Sequence, residues 1–85
     1  MSVPTFYAVV DVLLKRSILD PQGRAVEATL KRLGHANISE VRVGKRVELV
    51  LEGERDEVER QLGQIAQNVL SNPVMEDVEV SLEEA

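Results

Sequence analysis

Apolar residues follow two rhythms along this chain. From Thr5 to Leu14 nearly every position is apolar or β-branched. In an extended strand, Phe6, Ala8, Val10, Val12 and Leu14 would share one face and Tyr7, Val9, Asp11 and Leu13 the other. A strand buried on one side only should alternate more cleanly than this. The surplus predicts that the second face is covered as well, by another subunit, with Tyr7, Val9, Leu13 and Val50 as the homo-oligomer interface.

The segment "LDPQGRAVEATLKRLG" changes period. Val26, Leu30 and Leu33 recur at helical spacing, and both helix ends are marked. Asp20 is a good N-cap, Pro21 suits the first helical position, and Gly34 suits the left-handed position after the last turn. Ile38–Val43 and Arg46–Glu52 then predict two strands around a tight hairpin turn at Gly44-Lys45. "ERDEVERQLGQIAQNVLSNP" predicts a second helix, opened by Asp56 with Glu59 as a variant capping box and closed at Asn72-Pro73. Asp77–Leu82 alternates as a last strand, and the terminal "EEA" is expected to fray. The order is β-α-β-β-α-β. It predicts an α+β two-layer sandwich, ferredoxin-like or related, with two helices on one face of an antiparallel sheet. Its strands pair within the chain or across a dimer. Residues 1–85 read as a single domain without linker or internal repeat.

Composition narrows the chemistry. A chain of 85 residues buries only about 60% of its unfolded surface, so small scaffolds lean on disulfides, metals or association. Cysteine is absent and histidine occurs once, which removes disulfides and argues against a metal site. Association remains. The N-terminus shows no signal-peptide pattern and no apolar run is long enough to span a bilayer, so a cytoplasmic location is expected. A net charge of −5 and two aromatic residues argue against nucleic acid. Residues 1–46 carry eight Lys/Arg against four Asp/Glu, and residues 47–85 carry two against eleven. These differently charged halves read as solvated faces or, more sharply, as complementary surfaces.

Candidate chemistry is sparse. His35 follows Gly34 in a loop with no nucleophile or orienting carboxylate beside it in sequence. "VGKR" lacks the upstream glycine and the Ser/Thr of a phosphate loop. Glu76 and Asp77 are adjacent in a strand and point to opposite faces. The acidic run from Glu52 to Glu59 lacks the alternation of a calcium loop and suits a helix N-terminus. The residue left unexplained is Gly23, which costs about 0.5–1 kcal/mol in a helical turn relative to alanine. A glycine there permits close approach of a ligand or another backbone, so Gln22-Gly23 is expected to be a contact surface. Whether a small molecule or a protein makes that contact, spacing alone leaves open; if a partner subunit makes it, as the family resemblance given below implies, Gln22→Ala or Gly23→Leu would fold and assemble poorly.

The segments "LDPQGRAVEATLKRLG", "VRVGKRVEL" and "LSNPVMEDVEV", in this order over residues 6–82, resemble the PurS family. The chain departs from the family's usual residues at Ser17, Arg46 and Val78. The resemblance implies the small subunit of phosphoribosylformylglycinamidine synthase, a ligase that uses ATP and glutamine to convert formylglycinamide ribonucleotide into its amidine. It implies a dimer or tetramer that joins a synthetase subunit, which holds ATP and magnesium, to a glutaminase subunit, so that ammonia passes between them. Within this chain it implies no catalytic residue, no cofactor and no metal. The partner interface is expected at Asp20, Pro21, Gln22, Gly23, Arg42, Gly44, Lys45, Asn72 and Pro73. The competing readings are a regulatory domain binding a small molecule at a subunit interface and a stand-alone enzyme using Asp20 or His35.

Overall fold

A computed structural model of the chain describes residues 3–85. The first strand, β1 (Thr5–Leu14), is followed by α1 (Pro21–Arg32), β2 (Lys45–Glu52), α2 (Arg55–Asn68) and β3 (Glu76–Glu84). The sheet has the order β2-β1-β3, and both pairings are antiparallel. β1, the most apolar strand, therefore lies in the centre, where its sequence belongs.

Register separates the two faces. Phe6 pairs with Leu51, Ala8 with Leu49 and Val10 with Val47 on one side of β1, while Ala8 pairs with Leu82 and Val12 with Val78 on the other. These residues share the inner face, and there Phe6, Ala8, Val10 and Val12 are buried. Helix α2 closes over them with Val58, Leu62 and Ala66, spaced four residues apart and all buried. Burial of side chains the size of Phe6 and Leu62 contributes about 1.5–3 kcal/mol each. Arg55, in the first turn of α2, places its guanidinium 5.2 Å from the centre of the Phe6 ring. On the outer face Tyr7, Leu13 and Val50 are 53%, 43% and 66% exposed, with Tyr7 directly opposite Val50.

The α+β class and the antiparallel sheet agree with the sequence pattern, but three details differ. Ile38–Val43 is not a strand, and Gly44-Lys45 is not a hairpin turn: the segment runs straight into β2. The backbone N–H of Val43 is taken by the Asp20 carboxylate instead of a ladder partner. Second, α2 begins at Arg55 after Glu54, so Asp56 lies inside the first turn and forms no capping box. Glu59 pairs with Arg55 at 3.2 Å. Third, Glu83 and Glu84 belong to β3, and the Ala85 N–H donates to the Thr5 carbonyl at 2.8 Å, so the tail is held to β1.

The larger departure concerns α1. Only α2 lies against the sheet of its own chain, and α1 makes no extended contact with any strand or with α2. Of its residues only Gly23 is buried. A compact chain of this length has a radius of gyration of about 12 Å, whereas this one has 17.0 Å and extends over 58 × 26 × 14 Å.

Candidate functional site

The junction "LDPQG" is built around one carboxylate. Asp20 is extended, with φ −107° and ψ 96°, and caps α1 by accepting from the Gly23 N–H through Oδ1 at 2.9 Å. Its other oxygen, Oδ2, accepts from the Val43 N–H, also at 2.9 Å. One side chain thus ties the start of α1 to the segment that leads into β2, 23 residues away. The bonds from Gly23 and Val43 hold the Asp20 carboxyl below the usual carboxylate range, with a smaller contribution from the Arg42 guanidinium. Pro21 sits at the first helical position, where its missing N–H leaves nothing unpaired.

Gly23 has a structural explanation. A Cβ there would collide with the Val41 carbonyl oxygen and crowd the Asp20 carboxylate. The backbone that approaches Gly23 is the chain's own, and Gly23 is buried beneath the junction. A leucine at this position would have to displace the Val41 carbonyl, so Gly23→Leu is expected to disturb folding as well as any contact. Gly44 is a second close approach: a Cβ there would strike the Val12 carbonyl and the Leu13 side chain. These two glycines let the 41–44 segment press against both α1 and β1.

The structure brings much of the expected partner interface together. Asp20, Pro21, Gln22, Gly44 and Lys45 line one cleft of about 340 Å³, with Glu76 on its rim. Asn72 and Pro73 are joined to this region through Glu76, whose Oε1 accepts from the Asn72 N–H at 2.7 Å. The Asn72 side chain in turn accepts from the Val74 N–H, shaping the turn into β3. Arg42 faces a neighbouring cleft of about 650 Å³ with Arg16, Arg24, Asp20, Glu27 and Glu40. Glu40 sits 3.3 Å from Arg16 and 3.8 Å from Arg42. Three cations face three carboxylates there, so the cleft offers no net charge to attract an anion.

Glu40, Arg16 and Arg24 were not singled out by the sequence, because no local pattern links residue 16 to residue 40. Glu76 was, but as half of a carboxylate pair; its bond to Asn72 four residues earlier was the readable signal. His35 is exposed, and its backbone N–H donates to the Leu30 carbonyl. Lys45 opens a strand rather than a helix, which rules out a phosphate loop at "VGKR". Among the described residues no group of three or more His, Asp or Glu side chains is placed to hold a metal ion.

The molecule these observations define is a small α+β protein whose distinctive surfaces are a helix junction, two clefts and an open sheet face. Residues 7–84 match the profile of PurS, described as phosphoribosylformylglycinamidine (FGAM) synthase. The chain is 49% identical over 76 residues to the phosphoribosylformylglycinamidine synthase subunit PurS of Mycobacterium leprae, covering 89% of this chain and 94% of the relative. Bacillus subtilis PurS superposes with a TM-score of 0.85 at 33% identity, over 92% of this chain and 98% of that one. A chain in the structure of PurLQS from Thermotoga maritima superposes at 0.84 with 27% identity, over 94% and 99%. The chain belongs to the PurS family of FGAM synthase subunits.

Proposed function

We propose that this chain is the small, non-catalytic subunit of phosphoribosylformylglycinamidine synthase in purine biosynthesis and joins the synthetase and glutaminase subunits. The ATP and magnesium that activate the formylglycinamide ribonucleotide belong to the synthetase subunit, and the glutaminase subunit releases the ammonia. This chain holds the two in a geometry that lets ammonia pass between them, and it associates with itself. The observation that carries this reading is the match along nearly the whole chain to a protein seen in a PurLQS assembly. The protein acts in the cytoplasm, and no helix among the described residues is long and apolar enough to cross a membrane.

The surfaces suit such a role. The cleft at Asp20, Pro21, Gln22, Gly44 and Lys45 is rigid, because its backbone is pinned by the Asp20 bonds and by two glycine contacts. The outer sheet face sets Tyr7, Val9, Leu13 and Val50 among Asp11, Glu48, Asp77, Glu79 and Glu83, with Arg46 in the register, Lys15 paired to Asp77, and Arg16 and Arg42 at one end as the opposing charges. Its exposed apolar residues with charges of both signs around them suit a contact with another subunit.

The test is reconstitution with the synthetase and glutaminase subunits from the same organism. Glutamine-dependent amidine formation should require this chain, and the reaction supplied with free ammonia should require it much less. Equal rates with and without the chain in the glutamine reaction would overturn the proposal.

A further inference from the structure

Strand β3 pairs with β1 on one side, and among the described residues no strand lies on its other side. The register shows which backbone groups are left over. The Ala85 N–H donates to the Thr5 carbonyl and the Lys15 N–H to the Met75 carbonyl, each at 2.8 Å. In an antiparallel pair, residues bonded to the partner strand alternate with residues whose N–H and C=O point away from it. Asp77, Glu79, Ser81 and Glu83 therefore bond β1, while Val78, Val80, Leu82 and Glu84 turn their backbone groups to the open margin. Glu76 shares their phase, but its N–H is taken by the Asn72 carbonyl.

The side chains beside this margin carry two further features. Val78, Val80 and Leu82 lie on the inner face, opposite Val12, Val10 and Ala8. Helix α2 reaches β3, yet Val80 is 41% exposed, whereas Val10, its neighbour across the pair, is fully buried. An apolar row continuous with the core is thus left open along the margin. On the outer face Asp77, Glu79 and Glu83 alternate with that row, and among the described residues only Asp77 of the three is paired, to Lys15 at 3.5 Å.

We propose that the open margin of β3 takes up an extended segment of a different protein chain as a fourth, antiparallel strand. The two faces define its chemistry. Apolar residues at every second position would cover Val78, Val80 and Leu82, and Lys or Arg between them would meet Asp77, Glu79 and Glu83. Main-chain bonds to Val78, Val80 and Leu82 supply the attachment, and the alternation supplies the selectivity. The chain's own strands do not match. β3 holds five acidic residues and no basic one, and β2 sets Glu48 and Glu52 on the same face as Arg46. A margin of this kind binds such a segment whether or not the chain bridges a synthase.

The probe is a peptide of alternating valine and lysine, capped at both ends and of the same nine-residue length as β3, added to the isotopically labelled full-length chain. At saturation, amide exchange at Val78, Val80 and Leu82 should slow by about tenfold or more. The amides of Asp77, Glu79, Ser81 and Glu83, already bonded to β1, should change little. The same peptide N-methylated at its valines cannot donate the new bonds and should give no protection. Glu79→Lys combined with Glu83→Lys, both exposed, should leave the thermal transition in place and weaken binding about tenfold. Equal binding of the N-methylated peptide, protection elsewhere instead of at these three amides, or no binding overturns the proposal. Protection of the same amides in the chain alone, rising with its concentration, would put a second copy on the margin and overturns it equally.

Discussion

The two helices of this chain are near-equals in length and opposites in what supports them. Helix α1 is closed at both ends. Asp20 caps its start, and at its end the Gly34 and His35 N–H groups return to the Lys31 and Leu30 carbonyls around a Gly34 φ of +103°. Yet it buries no apolar side chain. Helix α2 has no side-chain bond at its N-cap, Glu54, and still buries Val58, Leu62 and Ala66. Capping decides where a helix begins and stops, whereas packing decides what it serves. A helix with strong caps and an empty stripe is prepared for a surface outside its own fold.

The comparison can be broken most forcefully at α2. Leu62→Ala removes a side chain that is 2% exposed at the centre of the core, and the expected loss is about 2–5 kcal/mol of unfolding free energy in a urea titration. An effect near zero would mean that the sheet is held together without its helix. On the α1 side, Gly23→Ala should cost about 1–3 kcal/mol, because the added methyl must displace the Val41 carbonyl. Gly34→Ala has open space around it, so only backbone conformation opposes it, with an expected loss of about 1–2 kcal/mol. If the two glycine variants are equally mild, the close approach at the junction is not what fixes α1.

A gentler test uses acid. The folded-state carboxyl of Asp20 titrates below its ordinary, unfolded value because it accepts from the Gly23 and Val43 N–H groups, so unfolding raises its affinity for a proton. Its contribution to stability is therefore full above that value and is lost as pH falls through the lower, folded-state value. Amide exchange at Gly23 and Val43, corrected for intrinsic rates, should accelerate over that interval in the natural protein, and Asp20→Asn should remove the step. The smallest change in stability is expected at the outer face. Val50→Ser should stay within about 0.5 kcal/mol and yet lower the glutamine-dependent rate of the reconstituted synthase. Unchanged rates would remove this face from the partner surface.

What could be read from the sequence was what neighbours in sequence decide. Asp20, Pro21 and Gly34 act within a turn of themselves, and all three stand where the pattern placed them. The inner face of β1 was legible because its even positions are uniformly apolar. The strand expected over Ile38–Val43 was not there, because Val41 and Val43 alternate with Glu40 and Arg42 in an extended connection just as they would in a ladder. What distinguishes the two is a bond from Val43 to a carboxylate 23 positions earlier, and no period reports it. Gly23 was rightly marked as a close approach, but composition gives no means of telling whose backbone approaches. The orientation of α1 depends on both of these contacts, which is why its ends were readable and its position away from its own sheet was not.

The sheet order carries one further consequence. With β1 in the middle, both lateral margins of the sheet have unpaired backbone groups, the usual template for runaway stacking of chains. Along β3 the nine residues include Glu76, Asp77, Glu79, Glu83 and Glu84 and no base. A second β3 aligned alongside would meet a fence of its own sign, while β2, with Lys45 and Arg46 beside Glu48 and Glu52, has no such fence. The chain thus polices its two margins unequally, so growth by edge addition is checked at one side and assembly can end at a closed, finite particle.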